Sequence, residues 1–136
     1  MTPRTMKARL RAVERVVKKW RTVLLIDSKW DVAVGAAIDK EDPNTIASID
    51  LDYGSYWNAE ITVYPKLIDN TEYFKENLDA AVIHELLHLV MWPLTSFAVN
   101  LAGNDSEREV NKLDDQIVKQ LEKVFCGRKK KKKVVG

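Results

Sequence analysis

Cysteine and histidine are both scarce in this chain, and each scarcity excludes something. There is one cysteine, Cys126, so no intrachain disulfide can form. A reducing compartment, the cytoplasm, is the expected setting. There are two histidines, His84 and His88, so no metal site here can be built from three imidazoles. No uninterrupted apolar run reaches the roughly 20 residues of a membrane span. The first residues, Met1-Thr2-Pro3-Arg4-Thr5-Met6-Lys7, lead into a charged amphipathic segment and not into the apolar core of a signal peptide. A cytoplasmic protein without membrane contact is the expectation. Internal repeats are also lacking.

What remains is one domain's worth of chain. At 136 residues it can bury about two thirds of its unfolded surface without a disulfide. A domain over residues 1–127 and a basic, disordered tail over 128–136 are expected. The net charge of +2 hides a strong asymmetry. Residues 128–133 carry six positive charges, and residues 1–21 carry eight basic side chains against one acid, Glu14. The middle of the chain, residues 22–127, is therefore left with a charge of −11. Acid is concentrated between two basic ends.

Leu10, Val13, Val17, Trp20 and Leu24 recur at three- and four-residue spacing, which predicts a helix over residues 3–25, with Pro3 in its first turn. Its arginines and lysines form an outer face that is either simply solvated or a contact for nucleic acid. Three short β-patterned segments follow, at residues 30–34, 46–53 and 57–64. They are separated by the turn cluster Lys40-Glu41-Asp42-Pro43-Asn44 and by Gly54-Ser55. Short turns favour an antiparallel meander. Asp69-Asn70-Thr71 can cap the next helix, which should run to Trp92 and stop at Pro93. The segment 94–102 reads as a connector. A last helix over residues 106–125 carries the stripe Val110, Leu113, Ile117, Leu121 and Val124, and Gly127 should end it. The predicted fold class is α+β: an N-terminal helix, a three-stranded antiparallel meander, a central helix and a C-terminal helix.

The central helix contains His84-Glu85-Leu86-Leu87-His88 within the apolar run Ala80-Ala81-Val82-Ile83 and Leu89-Val90-Met91-Trp92. Positions i and i+4 sit one above the other on a helix face, so the two imidazoles can converge on one cation. Glu85 lies one step round the helix, off that axis, where it can serve as a general base towards water. The alternative, histidines satisfied within the core, would bury three polar groups that a metal ion satisfies together.

Catalytic zinc usually takes three protein ligands. With no third histidine, the last must be a carboxylate or a sulfur. Cys126 lies at a helix end beside the charged tail and ranks low. A third histidine six residues after the second is excluded, because Leu94 stands there and Met91 occupies the glycine site of that pattern. Glu107 and Glu109 open the last helix and remain the candidates. Ser106-x-x-Glu109 fits a capping box, which gives Glu109 its own task. Glu107 has Asn111 and Asp114 on its own face, and Asn111 could orient a ligand. Glu107 is therefore preferred, with Glu109 left open.

These residues resemble the gluzincins, zinc peptidases with H-E-x-x-H and a glutamate ligand on a later helix. The later segment in several such families reads E-x-E-A-N, and here it reads Glu107-Arg108-Glu109-Val110-Asn111. The order of segments over residues 4–125 also resembles small phage-type metallopeptidases with a zincin-like core. The resemblance implies a zinc-dependent peptidase in which His84, His88 and Glu107 hold Zn²⁺, Glu85 is the general base, and a peptide or protein is the substrate. It also implies that residues 57–64 form the edge of the substrate cleft. Gluzincins often add a histidine or tyrosine at the oxyanion; the only counterparts here are Tyr53, Tyr56, Tyr64 and Tyr73. The competing expectation is a non-catalytic, zinc-containing module that binds nucleic acid or protein through the basic first helix and the lysine-rich tail.

Overall fold

The computed structural model of the chain describes residues 2–26, 28–37, 44–52, 57–103 and 106–135, with the backbone alone at 52, 102 and 127–135. The expected turns at 40–43 and 54–55, together with Tyr53 and Tyr56, lie outside the described residues. Among the described residues the element order is α1 (Pro3–Val23), β1 (Asp31–Ala36), β2 (Ala47–Asp52), β3 (Asn58–Val63), α2 (Pro65–Ile68), α3 (Thr71–Ala102) and α4 (Glu107–Val135). The architecture is mixed α+β, with one small sheet. The chain divides into two compact units, Met1–Leu86 and Leu87–Gly136, and the division falls inside α3.

In the first unit, Thr2 caps α1 by accepting a hydrogen bond from the Thr5 amide at 3.2 Å, and Pro3 follows as the first helical residue. The apolar spacing buries Val13, Val17 and Trp20. The Trp20 indole donates to Asp79 Oδ2 at 2.9 Å, and Lys19 stands 3.7 Å from the same oxygen. Arg9 donates to the Ile68 carbonyl and, at 2.6 Å, to the Thr71 hydroxyl. These contacts fasten α1 to the start of α3. The core they enclose is completed by Ile61 and Val63 of β3, Leu67 and Ile68 of α2, and Phe74, Leu78 and Val82 of α3.

The sheet is not the expected meander. Its strand order is β1-β3-β2, with β1 parallel to β3 and β2 antiparallel to it. β3 buries Ala59, Ile61 and Val63 in strict alternation on one face and is hydrogen-bonded along both edges. β1 and β2, which carry Asp31, Asp50 and Asp52, take the edges. Residues 57–64 therefore include a central strand and offer no edge to a substrate, which corrects the expectation above.

Two helices also depart from expectation. Pro65 does not merely end β3: it opens the single turn α2, where a missing amide costs nothing. Pro93 does not stop α3, which runs through it to Ala102. An interior proline removes one backbone hydrogen bond and crowds the preceding turn, at about 3 kcal/mol. Gly103 ends it instead, at φ 83°, with its amide bonded to the Val99 carbonyl at 3.0 Å. Joined in this way, Thr71–Leu101 is long and apolar enough by length and composition to cross a membrane, with a mean hydropathy of 1.4 in its most apolar window. The sequence, read segment by segment, had no such run.

In the second unit the later part of α3 and helix α4 bury Leu87, Leu89 and Val118. The α4 backbone does not end at Gly127 but stays helical to Val135, through the six basic residues. Lysine and arginine are good helix formers, and like-charge pairs at i,i+4 weaken a helix by only a few tenths of a kcal/mol.

Candidate metal centre

Helix α3 brings the motif to its place by burying nearly every residue around it. Asn70 starts the helix by accepting the Tyr73 amide at 3.0 Å. From Ala81 to Leu89 only His84 and His88 are even half-exposed, and Glu85 is 6 % exposed. The ligand atoms of His84, Glu85 and His88 all lie within 4.8 Å of one another on this one turn of helix. Among the described residues no buried side-chain polar atom lacks a hydrogen-bond partner.

Within the second unit, His88 is held between two acids of α4. Its Nδ1 lies 2.8 Å from Asp114 Oδ2, and its Nε2 lies 3.5 Å from Asp115 Oδ1. The other oxygen of Asp114 accepts a hydrogen bond from the Thr95 hydroxyl at 3.2 Å. The two distances mean different things. At 2.8 Å the contact of Nδ1 with the Asp114 carboxylate is a charge-assisted hydrogen bond, which fixes the ring's orientation and turns Nε2 towards Asp115. Two ligands each about 2.0–2.2 Å from a tetrahedral zinc lie roughly 3.3–3.5 Å from each other. The Nε2–Oδ1 separation matches that value.

Glu107 and Glu109 are exposed in the first turn of α4, and neither belongs to a metal-competent group. Asp114 follows Glu107 by seven residues, two turns, and shares its side of the helix. Seven residues amount to about 10 Å of rise, and α4 meets His88 that much further on. Thr95 stands at i+7 from His88 and was not singled out. The signal for all three was helical phase: a hydroxyl and a pair of aspartates spaced to reach back to the motif.

Cys126 is half-buried and joins no metal-competent group. Tyr64 shares a 2.9 Å hydrogen bond with Ser48, and the Tyr73 ring lies under the Lys66 ammonium. An open hollow of about 420 Å³ lies along the sheet, lined by Asp31, Asp50 and Glu60 among others, and another of about 600 Å³ follows α1 near Leu25; neither is lined by a residue of the motif. No protein-family model, curated protein or solved structure matches the chain. The case for chemistry is made by the side chains alone.

Proposed function

We propose that this chain is a zinc-dependent peptidase of the H-E-x-x-H type, with zinc held by the His84 and His88 pair of the motif. The observation that carries the reading is the pairing of a buried Glu85 beside two imidazoles with a His88 ring oriented by Asp114 and faced by Asp115. Among the described residues the carboxylate found beside His88 Nε2 is Asp115, where the gluzincin resemblance implies Glu107. When bound, zinc would supply Lewis-acid polarisation of the scissile carbonyl and make water acidic enough to deprotonate near neutral pH.

The chain's own residues do the rest. Asp114 holds His88 in one tautomer, and Thr95 holds Asp114. Glu85 takes the proton of the attacking water and passes it to the leaving amine. Its apolar surroundings, Ile83, Leu86, Leu87 and Leu89, limit competing water. An extended peptide can add as a strand to β1 or β2, the outer strands of the sheet.

A second reading has its own support. Arg4, Lys7, Arg11, Arg15 and Lys18 recur along one exposed face of α1, a stripe suited to a phosphate backbone. A nucleic-acid-binding module would not need Glu85. Replacing Glu85→Gln separates the two. Zinc content stays as in the parent protein, while hydrolysis of an unstructured polypeptide such as casein falls at least about 100-fold. Hydrolysis that survives the substitution would sink the peptidase mechanism.

A further inference from the structure

The cations of α1 fall into two sets. Arg9, Lys19 and Arg21 are engaged by the fold: Arg9 donates to the Ile68 carbonyl, Lys19 stands 3.7 Å from Asp79, and Arg21 donates to the Trp30 carbonyl. Arg4, Lys7, Arg11, Arg15 and Lys18 are all exposed, and among the described residues none of the five has a carboxylate or carbonyl partner. Intervals of three, four, four and three put them on one side of the helix, opposite the buried Val13, Val17 and Trp20. Nothing in the helix itself calls for this arrangement. Lys7 and Arg11, and Arg11 and Arg15, are like-charged pairs at i,i+4, which weaken a helix. Arg4 stands in the first turn, where the helix dipole favours acid, and no acid is there. A solvated face mixes both signs, whereas Glu14 is the one acid of α1. Asp31, Asp50 and Glu60, exposed acids of the same unit, lie instead on the strands.

We propose that the outer face of α1 is a docking surface for double-stranded nucleic acid, held through its phosphates and not through its bases. The surface lies on a different helix from the motif and depends on neither zinc nor Glu85, so it serves a peptidase as readily as a chain without hydrolytic activity. Three observations select that occupant. The first is charge in a line. From Arg4 to Lys18 the stripe is about 21 Å long. A duplex presents one negative charge per roughly 1.7 Å of its axis, so a straight row of cations has phosphates to meet along its whole length. The second is the hollow of about 600 Å³ at the far end of the stripe, lined by Lys18, Arg21, Thr22 and Ser28 with Leu25 and Ile26. Cations beside hydroxyls are the groups that hold backbone phosphates, and no carboxylate lines this hollow among the described residues. The third is what the face lacks. It carries no aromatic side chain on which an unpaired base could stack, because Trp20, the one aromatic of α1, is buried. That disfavours a single strand. The apolar side of α1 is in the core, whereas a helix that lies on lipid turns that side to the acyl chains.

The test is fluorescence anisotropy of a labelled duplex of about 20 base pairs, titrated with the full chain between about 50 and 200 mM salt. Five engaged cations give the parent protein a slope of about −4.5 or steeper in log K against log salt, since the basic residues 128–133 can only add to it. Arg11→Gln combined with Arg15→Gln makes the slope shallower by about 1.8 and weakens binding at about 100 mM salt at least 30-fold. Both side chains are exposed and unpaired among the described residues, so the far-UV circular dichroism is unchanged. Should that spectrum change, Lys7→Gln with Lys18→Gln takes their place, with the same change of slope expected. Lys75→Gln, at an exposed lysine of α3, leaves the slope as in the parent. Binding is equal with zinc and with chelator, so its loss speaks to α1 alone and a loss of hydrolysis to the motif alone. Duplex affinity that is absent overturns the proposal, as does affinity that the α1 variants leave unchanged because residues 128–133 carry it. A single strand bound more tightly than the duplex also overturns it. So does a chain that binds no duplex but floats with phosphatidylserine vesicles until the α1 stripe is neutralised.

Discussion

An imidazole that carries a proton on one nitrogen offers a lone pair on the other, and His88 has an acid assigned to each. Asp114 accepts the hydrogen bond of Nδ1 at 2.8 Å, and Asp115 stands at 3.5 Å from Nε2. The adjacent aspartates thus differ in role although they differ little in sequence context. Asp114→Asn keeps the side chain's shape but weakens its hold on the ring. It should lower zinc affinity by about 10–100-fold while leaving one zinc site per chain, measured by competition with a chromogenic chelator. A variant that binds zinc as tightly as the parent would show that Asp114 does not position His88. The proximity of both histidines and Glu85 was legible in the sequence, because residues four apart share a face on any helix. The sequence did not place Asp114 and Asp115. That required the axial position of α4 against α3, and an apolar stripe specifies rotation about a helix axis far better than shift along it.

Among elements, α3 carries most of the account. Its first turns bury Phe74, Leu78 and Val82, its middle bears the motif, and its end exposes Leu94, Phe97 and Leu101. Pro93 interrupts its hydrogen bonding without ending it. Pro93→Ala should restore that bond and raise unfolding stability by about 1–3 kcal/mol in urea titrations. An unchanged or lower midpoint would mean that the ring's packing outweighs the missing bond. A helix stop at Pro93 was the natural local reading, since proline usually marks one. It failed because no turn signal follows until Gly103. The α1 periodicity, the Asn70 cap and the three strand segments were legible for the same local reason. The sheet order was not, because alternation in β3 shows that it is buried on one face but says nothing about which neighbours pair with its edges.

For the whole molecule, the division into Met1–Leu86 and Leu87–Gly136 cuts the motif between its two leucines. Zinc bound at the motif would stabilise the folded chain, because a ligand held only by the folded chain stabilises it by mass action. Chelation should therefore lower the thermal midpoint by several degrees, and the shift should disappear in His84→Ala as well as in His88→Ala. A midpoint indifferent to chelator in the parent protein would remove the linkage. The basic ends and acidic middle read from composition belong to this scale too. They set where charge lies along α1 and α4, and they bear on partners more than on the fold.

The most direct measurement is the zinc content of purified protein by inductively coupled plasma mass spectrometry, across the parent, His84→Ala, His88→Ala and Glu85→Gln. The account predicts about one zinc per chain in the parent and in Glu85→Gln, and little or none in the two histidine variants. A parent protein that takes up no zinc, or histidine variants that take up as much as the parent, would contradict the metal centre itself.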